Sequence, residues 1–490
     1  MAEPLFPNLI PNLIDGRECP AGDGRSLDVV NPHDGRTLTR VARSSAEDVD
    51  TAVAAATRAQ PSWAAMPAVQ RGHILHQVCN ALERRQADLA AIVALEAGKR
   101  QKDALGEAGG AIQCGRFFAG EGQRLFGRTM TSGTPDKYAM TVRQPCGVAG
   151  LIIAANTPAP NFAWKVFPAL ICGNAVVLKA AEDTPISAWF MARIAEEAGL
   201  PKGVLNVVHG LGVEAGQALV AHPGIRVVSF TGSTRVGRQI AETCGRMLKK
   251  VSLELGGKNP LVVCDDADLD EAVKWSCLSA FSNAGQRCAS GSRIIVFDAI
   301  HDAFLDKFAA ATRALKLGVE EDCDLGPVIN RRQLDTMLAA VQRAIAAGAK
   351  PVVGGGRAEE VGLADGFYMQ PTILTGVDPE AEISCTELFG PIAAVYRVRD
   401  FAEALAAANR SPYGLTACIH TLSVDRALQF SHKVRAGATV VNAGTFGSEP
   451  HMPFGGVKDS GNGTREPGTE ALDVYSDLKD IYLNVVPTRL

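Results

Sequence analysis

No Cys-x-x-Cys pair and no Cys/His ligand cluster occurs in the chain, although 12 cysteines are spread over its 490 residues. This scatter excludes a zinc ribbon, argues against a disulfide scaffold, and leaves no metal to be expected. Unpaired thiols fit a reducing compartment, and the cytoplasm is the expected location. No basic excess is present either: 49 Lys and Arg against 53 Asp and Glu leave a formal charge of −4. A general binder of nucleic acid or anionic membranes would carry the opposite sign. The first sixteen residues, MAEPLFPNLIPNLIDG, lack a basic n-region, so no secretory signal is expected. An uncharged run over 144–164 is long enough to cross a bilayer, but it holds Pro145, Pro158, Pro160, Asn156 and Asn161. It reads better as a buried strand followed by a loop. Internal repeats and low-complexity tracts are also missing.

What is present is ordinary globular composition, 47% hydrophobic and 21% charged. The length corresponds to roughly three domains and can bury a large core without staples. Residues 8–42 read as turns and short strands. Helical spacing of apolar residues follows over 46–59 and 70–99, with Pro61 and Pro67 expected to break the helices. Beyond Val142 the pattern changes. Continuous apolar runs at 148–155, 175–179, 204–210, 225–230, 251–255 and 260–264 alternate with helical stretches near 185–198, 213–221 and after Thr234. Buried parallel strands have this character, and the alternation predicts a doubly wound α/β sheet. A second α/β series begins after Asp265, with helices over 268–283, 301–315 and 331–348 and a strand near 351–355. The stretch 472–486 alternates like a strand in need of a partner.

Four segments could carry chemistry. Gly232 to Gly237 (GSTRVG) is a glycine-bearing turn between a strand and a helix, where backbone amides attract phosphate. A plain tight turn explains it equally well, since it matches neither GxGxxG nor a Walker loop. Glu254, in LELGGK, ends an apolar strand, as a general base or as a helix cap or ion-pair member. Cys288, in SNAGQRCAS, is a nucleophile if something activates it and packing filler otherwise. Asn156 leaves a buried strand at the sheet edge where doubly wound folds bind ligands, as an oxyanion donor or a turn residue.

Taken in order, Asn156, Lys179 to Glu182, GSTRVG, ELGGK, GQRC and Glu387-Leu-Phe-Gly-Pro resemble the NAD(P)-dependent aldehyde dehydrogenase superfamily. The 34-residue step from Glu254 to Cys288 and the eight-residue step from Asn156 to Trp164 fit its spacing. The likeness runs from Asn31-Pro32 to PFGGVKDSGNG at 453–463. It implies a Rossmann-like NAD-binding domain (1–122 and 146–256), an α/β catalytic domain (257–459) and a small β oligomerisation element (123–145 and 460–490). A homodimer or homotetramer is the assembly it implies.

The resemblance also implies roles. Cys288 is the nucleophile, Asn156 with the Cys288 amide the oxyanion hole, and Glu254 the base that activates water. Lys179, Glu182, Gly232, Ser233, Gly237, Leu255, Glu387 and Phe389 are the cofactor positions. Trp164, Arg287 and Phe454 are those offered to the substrate. Glu182 near the ribose repels a 2′-phosphate, so NAD is expected over NADP, with Arg235 as a partial offset. The substrate is a small-molecule aldehyde. Arg287, with Arg235 and His451 as further cations, suggests a carboxylate-bearing semialdehyde, because GQRC resembles the α-ketoglutaric semialdehyde branch and guanidinium clamps carboxylate. Alternatively, Arg287 turns into the fold and pairs with an acid. Departures from the family are Ala154-Ala155 before Asn156 in place of Pro-Trp, Thr157 for Phe, and a longer GNGTREPG tail motif. Two other readings remain: a CoA-acylating enzyme, which typically lacks the ELGGK glutamate, and a non-catalytic binding protein on the same fold.

Overall fold

The computed structural model describes residues 5–360 and 362–489. Two seven-stranded sheets organise it. In the first, the strand order is Lys250–Glu254, Val227–Thr231, Val148–Ile152, Ala175–Lys179, Leu205–Val208, Asn12–Ile14, Arg17–Cys19. The five strands from 148 onward are parallel. Numbered along the chain their order is 5-4-1-2-3, the doubly wound order, which reverses between Val148–Ile152 and Val227–Thr231. Both strands are buried along nearly their whole length, which accounts for their unbroken apolar sequence. The antiparallel hairpin of Asn12–Ile14 and Arg17–Cys19 extends the other edge.

The second sheet runs Lys350–Val353, Thr372–Thr375, Ile392–Val398, Gly291–Phe297, Asn259–Val263, Thr416–His420, Ala438–Val441, parallel except for its first pair. The apolar run at 260–264 therefore opens the second sheet rather than closing the first. The chain crosses between sheets in only four residues, Leu255 to Lys258. A third sheet pairs Ser476–Asn484 with Lys137–Pro145 over nine residues, flanked by Thr129–Met130. The alternating tail thus finds its partner within its own chain, and among the described residues nothing pairs with its outer edge.

Pro67 separates two helices as expected, capping Ala68–Arg84, but Pro61 does not break its helix. Pro61 lies inside the helix Ala46–Ala65. The turn beyond it is held by Trp63, whose indole donates to the Leu170 carbonyl at 2.9 Å. The stretch 70–99 is two helices, Ala68–Arg84 and Gln86–Ala97, parted at Arg85. The loop expected through 164 is largely helix: Pro158–Ile171 starts with proline at its first position, where a missing N–H costs nothing. Twelve of its fourteen residues are buried, and this packing offsets the bond lost at Pro168. Among the described residues no helix is long and apolar enough to cross a membrane.

Candidate active site

Asn156 follows the strand Val148–Ile152, and Gly232 and Ser233 follow Val227–Thr231. Both loops leave the first sheet at its reversal point, where such folds bind ligands. Ser233 caps the helix Thr234–Arg246, accepting from the Val236 amide at 3.5 Å. Gly237, in the first turn, packs on Leu255: a Cβ there would lie 2.5 Å from the leucine side chain. At the end of the neighbouring strand, buried Lys179 donates to Glu182 at 2.8 Å. Burial alone would raise the Glu182 pKa, but Lys179, with help from Arg332, brings it below the usual carboxylate range.

The link Leu255 to Lys258 draws the remaining groups together. A Cβ on Gly256 would fall 2.1 Å from the Glu387 carboxylate, and one on Gly257 would fall 2.3 Å from the Cys288 carbonyl. Only glycine admits both neighbours. The Gly257 amide donates to Glu387 at 3.0 Å. Burial nevertheless lifts Glu387 to about 7, with that amide and Lys258 pulling the other way. Lys258 itself is pushed down to about 8 by burial and then by Arg293. Phe389, two residues beyond Glu387, holds a left-handed backbone at φ 57°.

Cys288 follows three successive left-handed residues, Asn283, Ala284 and Gly285. Such a backbone is strained at Asn283 and Ala284 and persists only where its surroundings dictate it. Here they do. Asn259 donates to the carbonyls of Cys288 at 2.7 Å and Ser290 at 2.9 Å. Buried Gln286 donates to Asn283 and Pro327 and accepts from the Ile329 amide at 2.8 Å. Asn156 donates one amide hydrogen to the Gln286 carbonyl at 2.9 Å, leaving its second for a ligand.

Cys288 as a residue is half-buried. Its pKa is pushed up to about 12 by burial and then by the charges of Glu387 and Glu254, against the pull of the Ala289 and Cys288 amides. Glu254 is 5% exposed, and among the described residues neither carboxylate oxygen has a hydrogen-bond partner. Burial, and then Glu466, hold its carboxyl well above the ordinary range, with Lys165 and Arg465 opposing. Glu466 is fully buried and accepts from Lys165 at 2.7 Å, Tyr475 at 2.6 Å and Ser229 at 2.9 Å.

Cys288 packs, with Trp164 and Phe446, against a small apolar cluster of Ala289, Leu415 and Phe454. Trp164 and Phe454 meet with ring centroids 5.5 Å apart. Arg287 lays its guanidinium 4.5 Å over the Phe446 ring and donates to Ser282 at 2.5 Å. Among the described residues it has no acid partner, so the inward ion pair weighed from the sequence does not form. Arg235 is exposed, and His451 is exposed 3.8 Å from Glu449. Among the described residues no cluster able to hold a metal occurs. Asn259, Gln286, Phe446 and the Lys165–Glu466 pair were not singled out from the sequence; the GQRC and ELGGKN runs contain the first two, but nothing local marks the others.

The family model described as the aldehyde dehydrogenase family matches residues 20–481. The α-ketoglutaric semialdehyde dehydrogenase of Bacillus subtilis is 37% identical over 479 residues, 97% of this chain and 98% of that protein. An NADP(+) succinate-semialdehyde dehydrogenase of Escherichia coli is 39% identical over 469 residues, 95% of this chain and 96% of that one. Among solved structures, betaine aldehyde dehydrogenase of Staphylococcus aureus in complex with NAD+ superposes with a TM-score of 0.95 at 31% identity, covering 98% of this chain and 95% of that one. A shared family over nearly the whole length, with the same fold, makes the chain a member of the aldehyde dehydrogenase family, an NAD(P)-dependent oxidoreductase acting on small aldehydes.

Proposed function

We propose that the chain oxidises an aldehyde to the free carboxylic acid with NAD, through a covalent adduct on Cys288. The observation that carries this reading is Glu254, a buried carboxylate with both oxygens unpartnered, whose charge is felt at the Cys288 thiol. A thiol held at about 12 is almost wholly protonated at neutral pH, so a base must take its proton. Glu254, with its raised affinity for a proton, suits that task. The thiolate adds to the aldehyde carbon, and the new alkoxide is met by the second Asn156 amide hydrogen and the Cys288 N–H. Removing one such donor commonly costs about 3 kcal/mol of transition-state stabilisation. Loss of hydride from the thiohemiacetal leaves a thioester. Glu254, having released the thiol's proton to solvent, takes a proton from water as it attacks the thioester, and passes that proton to the leaving Cys288 thiolate as the acid departs.

The dinucleotide, when bound, supplies the hydride acceptor. Residues to hold it fit. Gly232, Ser233 and Gly237 offer a helix N-terminus to the diphosphate, with Leu255 packed beneath it. Lys179 and Glu182 suit the adenosine ribose, and Glu387 with Phe389 the nicotinamide side. Glu182 is held ionised by Lys179, which favours NAD over NADP. In this reading the first sheet (1–122 and 146–256) is the NAD-binding domain, 257–459 the catalytic domain, and 123–145 with 460–490 the oligomerisation element.

A carboxylate-bearing semialdehyde is the substrate class best supported. Arg287 adjoins the nucleophile, has no acid partner among the described residues, and is braced by Phe446. Similar proteins include semialdehyde dehydrogenases. The edge strand Ser476–Asn484, with exposed Leu478, Tyr482 and Leu483, supports association into a homodimer or homotetramer. Twelve unpaired cysteines fit the cytoplasm.

The test is product and rate together. Succinic and α-ketoglutaric semialdehydes and propanal are compared by NADH formation, with and without CoA. Free acid without CoA, and kcat/KM at least tenfold higher for a semialdehyde than for propanal, are expected. In Arg287→Leu the semialdehyde advantage should vanish while propanal turnover holds. CoA-dependent turnover would reject the hydrolytic reading.

A further inference from the structure

Lys99 and Glu107 form an ion pair whose side chains are 7% and 6% exposed, close to Asn156 but outside the machinery described above. Lys99 follows the helix Gln86–Ala97, where Gly98 turns the chain at φ 64°. Its ammonium also donates to the Asn156 carbonyl at 2.6 Å. Glu107, on the helix Gln101–Glu121, uses its other oxygen to accept from the Ala159 amide at 3.3 Å. One buried pair thus grips both sides of a three-residue step: the backbone of Asn156 and the first turn of the helix Pro158–Ile171. Buried ion pairs give little net stability, because desolvation consumes most of the attraction. Retaining one here calls for another reason, and geometry supplies it.

We propose that the Lys99–Glu107 pair is a positioning device for the oxyanion hole, fixing the backbone of Asn156 so that its side-chain amide meets the alkoxide formed on Cys288. The proposal rests on the oxyanion role given to Asn156. From one side Gln286 sets the direction of the amide; from the other Lys99 sets the position of the residue that carries it. The carbonyl that Lys99 holds belongs to a segment preceded by Ala154-Ala155, two small side chains with little bulk of their own to brace the loop. A displacement of the donor by about 1 Å can cost on the order of a hundredfold in rate.

The experiment is a double-mutant cycle on the full-length enzyme, read by the pre-steady-state NADH burst. The variants are Lys99→Met, Asn156→Ala and the two combined. A further variant, Lys99→Met with Glu107→Leu, removes both charges so that none is left buried and unpaired. Lys99→Met and the charge-free variant should each slow the burst by about 10- to 100-fold. Dissociation constants for NAD and the rate of Cys288 alkylation, which needs no oxyanion donor, should stay within about twofold. In the Asn156→Ala background, Lys99→Met should add less than about threefold, because the group it positions is gone. An unchanged burst in the charge-free variant, or an equal loss with and without Asn156, overturns the positioning role alone. A burst unaffected by Asn156→Ala overturns the oxyanion assignment and this proposal with it.

Discussion

The carbonyl of Cys288 lies directly over Gly257, at a place where any Cβ would stand 2.3 Å away. Two glycines in the link between the sheets therefore set how closely the Cys288 loop approaches the Glu387 loop. Gly257→Ala must push the Cys288 backbone outward, against the 2.7 Å bond that Asn259 makes to the same carbonyl. The expected result is a fall in kcat of about a hundredfold with a lower thermal midpoint. Wild-type kcat in this variant would show that the contact places nothing of consequence.

Glu254→Gln keeps the shape of the base and removes its ability to accept a proton. Because Glu254 serves both the thiol and the water, the NADH burst should slow, and steady-state turnover should fall further still, by about 10²- to 10⁴-fold, so that the acyl enzyme accumulates. Intact-mass measurement after quenching should find one acyl group on Cys288. Loss of the burst in step with turnover would place Glu254 chiefly at thiol activation instead.

The thiol's raised pKa has a direct pH signature. With Cys288 near 12, the thiolate fraction, and with it the alkylation rate by iodoacetamide without NAD, should climb about tenfold per pH unit from 7 to 9. A plateau below pH 8 would contradict this environment.

Cofactor choice turns on Glu182. Lys179 holds the carboxylate ionised, and a 2′-phosphate would meet that charge. Glu182→Ser should narrow the NAD:NADP ratio of kcat/KM by about tenfold, equivalent to about 1.4 kcal/mol. A ratio already favouring NADP in the wild type would reject the assignment.

How far these features can be read without coordinates depends on the range of the forces involved. The strands at 148–152 and 175–179 are legible because burial on both faces demands continuous apolar sequence. The helix Pro158–Ile171 is not, since Pro158, Pro160, Asn161 and Pro168 all read locally as loop, and only burial against distant elements makes it pay. The four motif residues Asn156, Glu254, Cys288 and Glu387 are named by short patterns. Lys165 and Glu466 are not, because their bond spans 301 positions and neither residue's neighbours announce it. The same holds for Lys99 and Asn156.

The surroundings of Glu254 have a consequence for how the enzyme comes into being. The chain emerges from the ribosome in order, and its early parts begin to fold first. Glu254 closes the last strand of the first sheet, yet Glu466, which raises its proton affinity, and Tyr475, which donates to Glu466, follow more than two hundred residues later. Until they dock against Ser229 and Lys165, the carboxyl lacks the neighbouring charge that raises its proton affinity. Tuning of the Glu254 carboxyl thus depends on tail docking, a contact between parts of the chain far apart in sequence.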